Sequence, residues 1–151
     1  MKKLYSIALA SGLVLSFSGC VGGNTNITPA SAAKVDVKNI CSIEKHGIAG
    51  VLANAKTYNA AAKKEGVEFR RLNVNNSALI ASVEEALKTG AKTVNPLHHK
   101  SKAKKIKKSK TKLKTDYAAW RACSFAVRGL QQKHEAESTW RLAVPGDGYK
   151  Y

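Results

Sequence analysis

Leu113-Lys-Thr-Asp-Tyr-Ala-Ala-Trp-Arg-Ala-Cys-Ser-Phe-Ala-Val-Arg-Gly-Leu130 is the stretch on which the fold turns. Leu113, Tyr117, Trp120, Cys123, Val127 and Leu130 recur at steps of three and four, the spacing that lines apolar side chains along one face of an α-helix. A helix is predicted from about Thr111 to Glu137, with Cys123 on its buried stripe. Ala122, Phe125 and Ala126 fall off that stripe, so the helix is expected to have neighbours on two sides. Gly129 should weaken it by about 1 kcal/mol relative to alanine.

Upstream, Ile48, Val51, Leu52, Ala55 and Tyr58 have the same spacing. They predict a helix over 47–65, with Lys63 and Lys64 in its last turn and Gly66 as its stop. Val67-Glu-Phe-Arg70 alternates and loses phase before Leu72-Asn-Val74, a strand with a bulge or bend. Asn75-Asn-Ser77 supplies capping side chains for a further helix carrying Leu79, Ile80, Val83 and Leu87, ended by Gly90. Asn95-Pro96 marks a turn. Downstream, Trp140, Leu142 and Val144 alternate with their neighbours before Pro145-Gly-Asp-Gly148 and Tyr149-Lys-Tyr151, which predicts a small hairpin or terminal strand. The expected fold class is α+β: one compact, helix-dominated domain over residues 35–151, about three helices with a small sheet or C-terminal hairpin.

The chain opens Met1-Lys-Lys3, followed by a short apolar run from Leu4 to Phe17. Two cations before such a run are the n- and h-regions of an export signal. The run falls short of the roughly 20 apolar residues of a membrane span. Ser18-Gly19-Cys20 then resembles the lipobox of bacterial lipoproteins, with Phe17 where that family usually has Leu. The resemblance covers residues 1–20. It implies cleavage before Cys20, residues 1–19 being the signal peptide, and fatty acylation of Cys20, which anchors the chain to a membrane. Val21 follows the cysteine where aspartate would favour inner-membrane retention, so in a host with two membranes the resemblance implies the outer one, facing the periplasm. Residues 20–34 then read as the lipidated cysteine and a flexible tether of small and polar residues.

With Cys20 assigned to lipid, Cys41 and Cys123 remain. In an exported protein a disulfide between them is the economical reading, the alternative being two buried thiols. The bond would close a loop of about 80 residues and stabilise the fold by roughly 4 kcal/mol in the chain-entropy model. Neither cysteine belongs to a Cys-x-x-Cys unit, which argues against dithiol redox chemistry and a zinc site.

The formal net charge is +16, and its excess is local. Nine lysines (Lys100, Lys102, Lys104, Lys105, Lys107, Lys108, Lys110, Lys112 and Lys114) fall in the insert 100–114, and no acidic residue occurs between Glu85 and Asp116. Ala103, Ile106, Lys110 and Leu113 share helical spacing, so the insert either extends the last helix or stays an extended loop held open by mutual repulsion. Such a run recruits polyanions in a salt-sensitive manner, or else serves as a solvated loop that keeps the domain soluble. Outside the cytoplasm the candidate polyanions are lipopolysaccharide, peptidoglycan and phospholipid headgroups, with extracellular DNA. Lysine rather than arginine points to unspecific point-charge contact. The absence of aromatics in the run weakens a nucleic-acid reading.

Catalytic constellations are missing from the sequence. His98 and His99 are adjacent, with no carboxylate or cysteine nearby to complete a metal site. Cys123 and His134 lie about three helical turns apart, too far to act as nucleophile and base on one helix. No phosphate loop or nucleophile elbow is found. The expectation is therefore a binding or structural envelope lipoprotein, not an enzyme, with no metal or cofactor. Its partners would be a membrane, through Cys20, and an anionic envelope polymer. The alternative is a protein-partner lipoprotein (an inhibitor, an immunity factor or an accessory subunit of a secretion or conjugation apparatus), with a contact surface around Trp140, Tyr149 and Tyr151.

Overall fold

The computed structural model describes residues 26–71, 74–100 and 105–143. Helices dominate, and the strands form three two-stranded antiparallel pairs. Chain order is α1 (Pro29–Ala33), α2 (Val37–Ile40), α3 (Ile43–Lys64), β1 (Arg70–Arg71), β2 (Val74–Asn75), α4 (Asn76–Thr89), β3 (Thr93–Val94), β4 (Leu97–Lys100), β5 (Lys105–Lys108), β6 (Leu113–Lys114) and α5 (Thr115–Ala143). This is the expected helix-rich α+β class, with two short N-terminal helices added.

The helix ends follow local chemistry. Asn75 caps α4 by accepting from the Ala78 amide at 2.8 Å, and Gly90 closes it in the left-handed region. In α3 the backbone leaves helical geometry at Gly47, so the long run proper begins at Ile48, close to the start that the spacing predicts. At its other end Val67 N donates to Ala62 O at 2.8 Å and Gly66 N to Lys63 O at 3.1 Å. This is the Schellman pattern, and it requires the positive φ of Gly66 (+72°) that L side chains rarely adopt.

α5 is the central element, packed against α3, α4 and α1. Its buried side is built from Ala118, Ala119, Ala122, Cys123, Ala126, Val127 and Leu130. Val51, Leu52 and Ala55 of α3 and Leu79, Ile80 and Val83 of α4 complete the core. The predicted stripe is thus corrected in its first turns, where Tyr117 and Trp120 are 46% and 37% exposed. Alanines take the inner side because they let helices approach closely, and the two large rings stack at the margin with centroids 5.6 Å apart.

Three further expectations change. Trp140 to Ala143 belong to α5 instead of a terminal strand. The apolar alternation there spans only three residues, whereas Glu135 to Ala143 supply strong helix formers such as Glu, Ala, Arg and Leu. Residues 144–151, with Tyr149 and Tyr151, lie outside the described residues. The lysine insert does not extend α5, and among its described residues Lys100, Lys105–Lys108 and Leu113–Lys114 pair as strands while 109–112 stays a bend between them. Finally, residues 28–34, which composition assigns to the tether, fold onto the domain. Thr28 and Ser31 form a reciprocal capping box, Ala32 is fully buried, and Gln131 Nε2 of α5 donates to Ala32 O and Val35 O at 3.1 and 2.9 Å.

Candidate anion-binding ribbon

β3 pairs with β6, and β4 with β5, as nested antiparallel pairs. Together they make an irregular ribbon running out from the end of α4 and back into the start of α5. Its base is latched at two levels. Thr115 Oγ1 donates to Ala91 O at 2.6 Å and Thr115 N to Lys92 O at 3.0 Å. Further out, Ser109 N donates to Pro96 O at 2.8 Å and Asn95 Nδ2 to Ser109 O at 2.9 Å. Val94, buried in the main core, pins the inner pair to the domain.

Most of the sequence-predicted cations fall on this ribbon. The register sets Leu97 opposite Lys108, His98 opposite Lys107, His99 opposite Ile106 and Lys100 opposite Lys105. Lys110, Lys112 and Lys114 follow and are exposed. Lys102 and Lys104 lie outside the described residues, as does Cys20. Cys41 and Cys123 form the disulfide, with Cα atoms 5.7 Å apart and both residues fully buried, tying the end of α2 to the middle of α5. Cys123 is thereby removed as a partner for His134. His46 is exposed, with Nε2 3.2 Å from Asn39 O. Among the described residues no three His, Cys, Asp or Glu side chains group so as to hold a metal ion. No helix among them is long and apolar enough to cross a membrane.

Two features escape the sequence reading. One is a buried polar network where α3, α4 and α5 meet. Asn76, 1% exposed, donates through Nδ2 to Asn59 Oδ1 at 3.0 Å and to Ala122 O at 2.9 Å. Asn59 in turn donates to Ser77 Oγ at 3.0 Å and to Glu68 Oε1 at 3.3 Å. Ser77 donates to that carboxylate through both its amide, at 2.9 Å, and its hydroxyl. Burial opposes ionisation of Glu68, whose side chain is 6% exposed, but the Ser77 and Asn59 donors and the Lys63 charge outweigh it and hold the carboxyl below the ordinary glutamate range.

The second is a cavity of about 320 Å³ between the β1–β2 pair, α4, the foot of the ribbon and α5. Phe69 and Phe125 stack at one wall, with centroids 3.8 Å apart, and the Arg121 guanidinium lies 5.0 Å over the Phe125 ring. Its residues come from four separate parts of the chain, so no local spacing announces it.

Comparison with known protein families, curated proteins and solved structures finds no match to this chain.

Proposed function

We propose that this is a membrane-anchored envelope lipoprotein of the binding or structural kind, whose lysine ribbon engages anionic envelope polymers or headgroups. The observation that carries the reading is the latching of the cationic run at Thr115, Ser109 and Asn95. A merely solubilising loop needs no such fixation. Here the cations are presented from a fixed base, so their potential adds at one place. The register also sets Lys100 against Lys105, and like charges directly opposite weaken strand pairing. An anion laid along the ribbon removes that repulsion and favours the paired form.

Lipidation of Cys20, implied by the Ser18-Gly19-Cys20 resemblance, supplies the anchor in this proposal. The folded domain begins at the Thr28 cap, so only a short stretch separates it from the lipid. Eight residues span at most about 28 Å when extended, which holds the domain close to the membrane that anchors it.

The test is co-sedimentation of the Cys20→Ser form of residues 20–151 with lipopolysaccharide vesicles and with peptidoglycan sacculi across a salt series. Binding should weaken steeply as salt rises and disappear when the lysines between Lys100 and Lys114 are replaced by glutamine. Binding indifferent to both treatments would sink the reading.

A second reading, docking to an envelope protein, is favoured by the stacked and exposed Tyr117–Trp120 pair at the start of α5. Exposed aromatics of this kind are typical interface anchors. A Tyr117→Ser/Trp120→Ser variant that loses a crosslinked stoichiometric partner would support it over the first.

A further inference from the structure

We infer that the cavity at the foot of the ribbon binds a small amphiphilic anion, a phosphate monoester or carboxylate carried on an alkyl body. The inference does not depend on whether the ribbon lysines bind polyanions, since Arg71 and Arg121 lie outside the ribbon and only Lys110 is shared.

The apolar part of the site is preformed. Phe69 just before β1, Leu79 from α4, Leu113 from β6 and Phe125 from α5 converge on one space of about 320 Å³, a size in the range of small-molecule sites. The polar part is one-signed. Arg71, Lys110 and Arg121 line the cavity, and no acidic side chain does so among the described residues. None of the three has a carboxylate partner within ion-pair distance among the described residues; the ion pairs there engage other cations, such as Lys56 with Glu84 and Lys133 with Glu65. Arg121, stacked over Phe125, has its guanidinium held in place, which lowers the entropic cost of presenting its N–H groups to a ligand. Two arginines and a lysine around an apolar wall match an anionic head with an apolar body, because guanidinium pairs bidentately with phosphate and carboxylate. A neutral amphiphile would leave the cations uncompensated, and a bare inorganic anion would leave the Phe and Leu surfaces wet.

Among the described residues the buried ones run from Pro29 to Leu130, all within the Cys20→Ser form of residues 20–151, which is the test object. Calorimetric titration at physiological salt should compare four probes below any micelle concentration: octyl phosphate, octanoate, octyl glucoside and inorganic phosphate. Octyl phosphate or octanoate is expected to bind, and whichever is tighter names the head group. Octyl glucoside and inorganic phosphate should bind at least about tenfold more weakly. Arg71→Gln, at an exposed position that leaves the core untouched, and Arg121→Gln should each weaken the anionic probe by roughly tenfold, while Arg121→Lys keeps the charge and should weaken it less. A Lys100→Gln/Lys105→Gln/Lys107→Gln variant should bind as the parent does, which separates this site from the ribbon. No heat with either anionic amphiphile, equal binding of octyl glucoside, or unchanged affinity in an Arg71→Gln/Arg121→Gln variant would overturn the inference.

Discussion

The side-chain amide of Asn76 donates to the main-chain carbonyl of Ala122 at 2.9 Å, immediately before the bridged Cys123. The first turn of α4 is thereby fastened to the middle of α5. The second amide hydrogen is used on Asn59 Oδ1 of α3, so one buried residue joins three helices. Both partners are acceptors, which fixes the orientation of the amide and leaves Asn76 Oδ1 without a donor. Asn76→Ala should lower stability by about 2 kcal/mol, since it strands the buried Asn59 oxygen. Asn76→Asp should cost more at neutral pH, because a carboxylate would face two acceptors. Urea unfolding of both variants checks this, and an Asp variant as stable as the Ala variant would contradict the geometry.

Glu68 extends the same network and makes it pH-sensitive. Its carboxyl is held below the usual range in the fold, whereas in the unfolded chain it titrates near about 4.3. The folded state therefore binds the proton less readily than the unfolded state. Its contribution is fully present above about pH 4.3 and declines as pH falls through the lower folded value. Glu68→Gln should remove this part of the acid limb, so parent and variant stability curves converge below pH 4. Parallel curves down to that range would show that Glu68 contributes nothing to the acid sensitivity.

How much of this was legible in the sequence depends on how local the determining interactions are. The ends of α4 were readable because Asn75 and Gly90 act on amides and carbonyls within one turn of themselves. The face of α5 was readable from Cys123 onward, but not at Tyr117 and Trp120, because hydrophobicity does not say which side a neighbouring helix approaches. The ribbon was unreadable for a different reason. Lysine is a poor strand former, and the pairing rests on latches such as Asn95 to Ser109 that join residues far apart in sequence. The same non-locality hid the cavity, where Phe69 and Arg71 meet Arg121 and Phe125 only after the chain has folded.

Gly129 shows packing overruling propensity. On an isolated helix, alanine would be better by about 1 kcal/mol. In the fold, a Cβ at this position would lie 2.9 Å from the Val67 carbonyl oxygen, which the Schellman turn after α3 holds in place. Gly129→Ala should therefore destabilise, by roughly 1–3 kcal/mol as for other overpacked sites. A raised melting temperature in this variant would mean that the Val67 segment yields easily.

The disulfide is expected to contribute through the unfolded chain. Cys41 and Cys123 are 82 residues apart in sequence, and closing so long a loop is worth roughly 4 kcal/mol in the chain-entropy model. Cys41→Ala/Cys123→Ala should lose about that much in urea unfolding, with the slope against denaturant steepened as the unfolded chain expands. A loss below about 1 kcal/mol would indicate that native packing of α2 on α5 already confines these segments.

Gln131 fastens α1 to the rest of the domain. Its Nε2 donates to Ala32 O and Val35 O, which holds α1 against α5. Replacing Gln131 by alanine removes both donors and leaves α1 held by the packing of Ile27, Pro29 and Ala32, and a five-residue helix has little stability of its own. Hydrogen exchange should then accelerate over residues 29–36 by roughly tenfold or more, with little change in α3 or α4. On the proposed membrane reading the released segment also lengthens the reach of the domain by about 25 Å. Co-sedimentation of the lipidated chain with anionic vesicles should then become more salt-sensitive, because a longer connection lowers the effective concentration of the ribbon lysines at the surface. Unchanged exchange in that segment would show that the Gln131 bonds are dispensable and that packing alone holds α1.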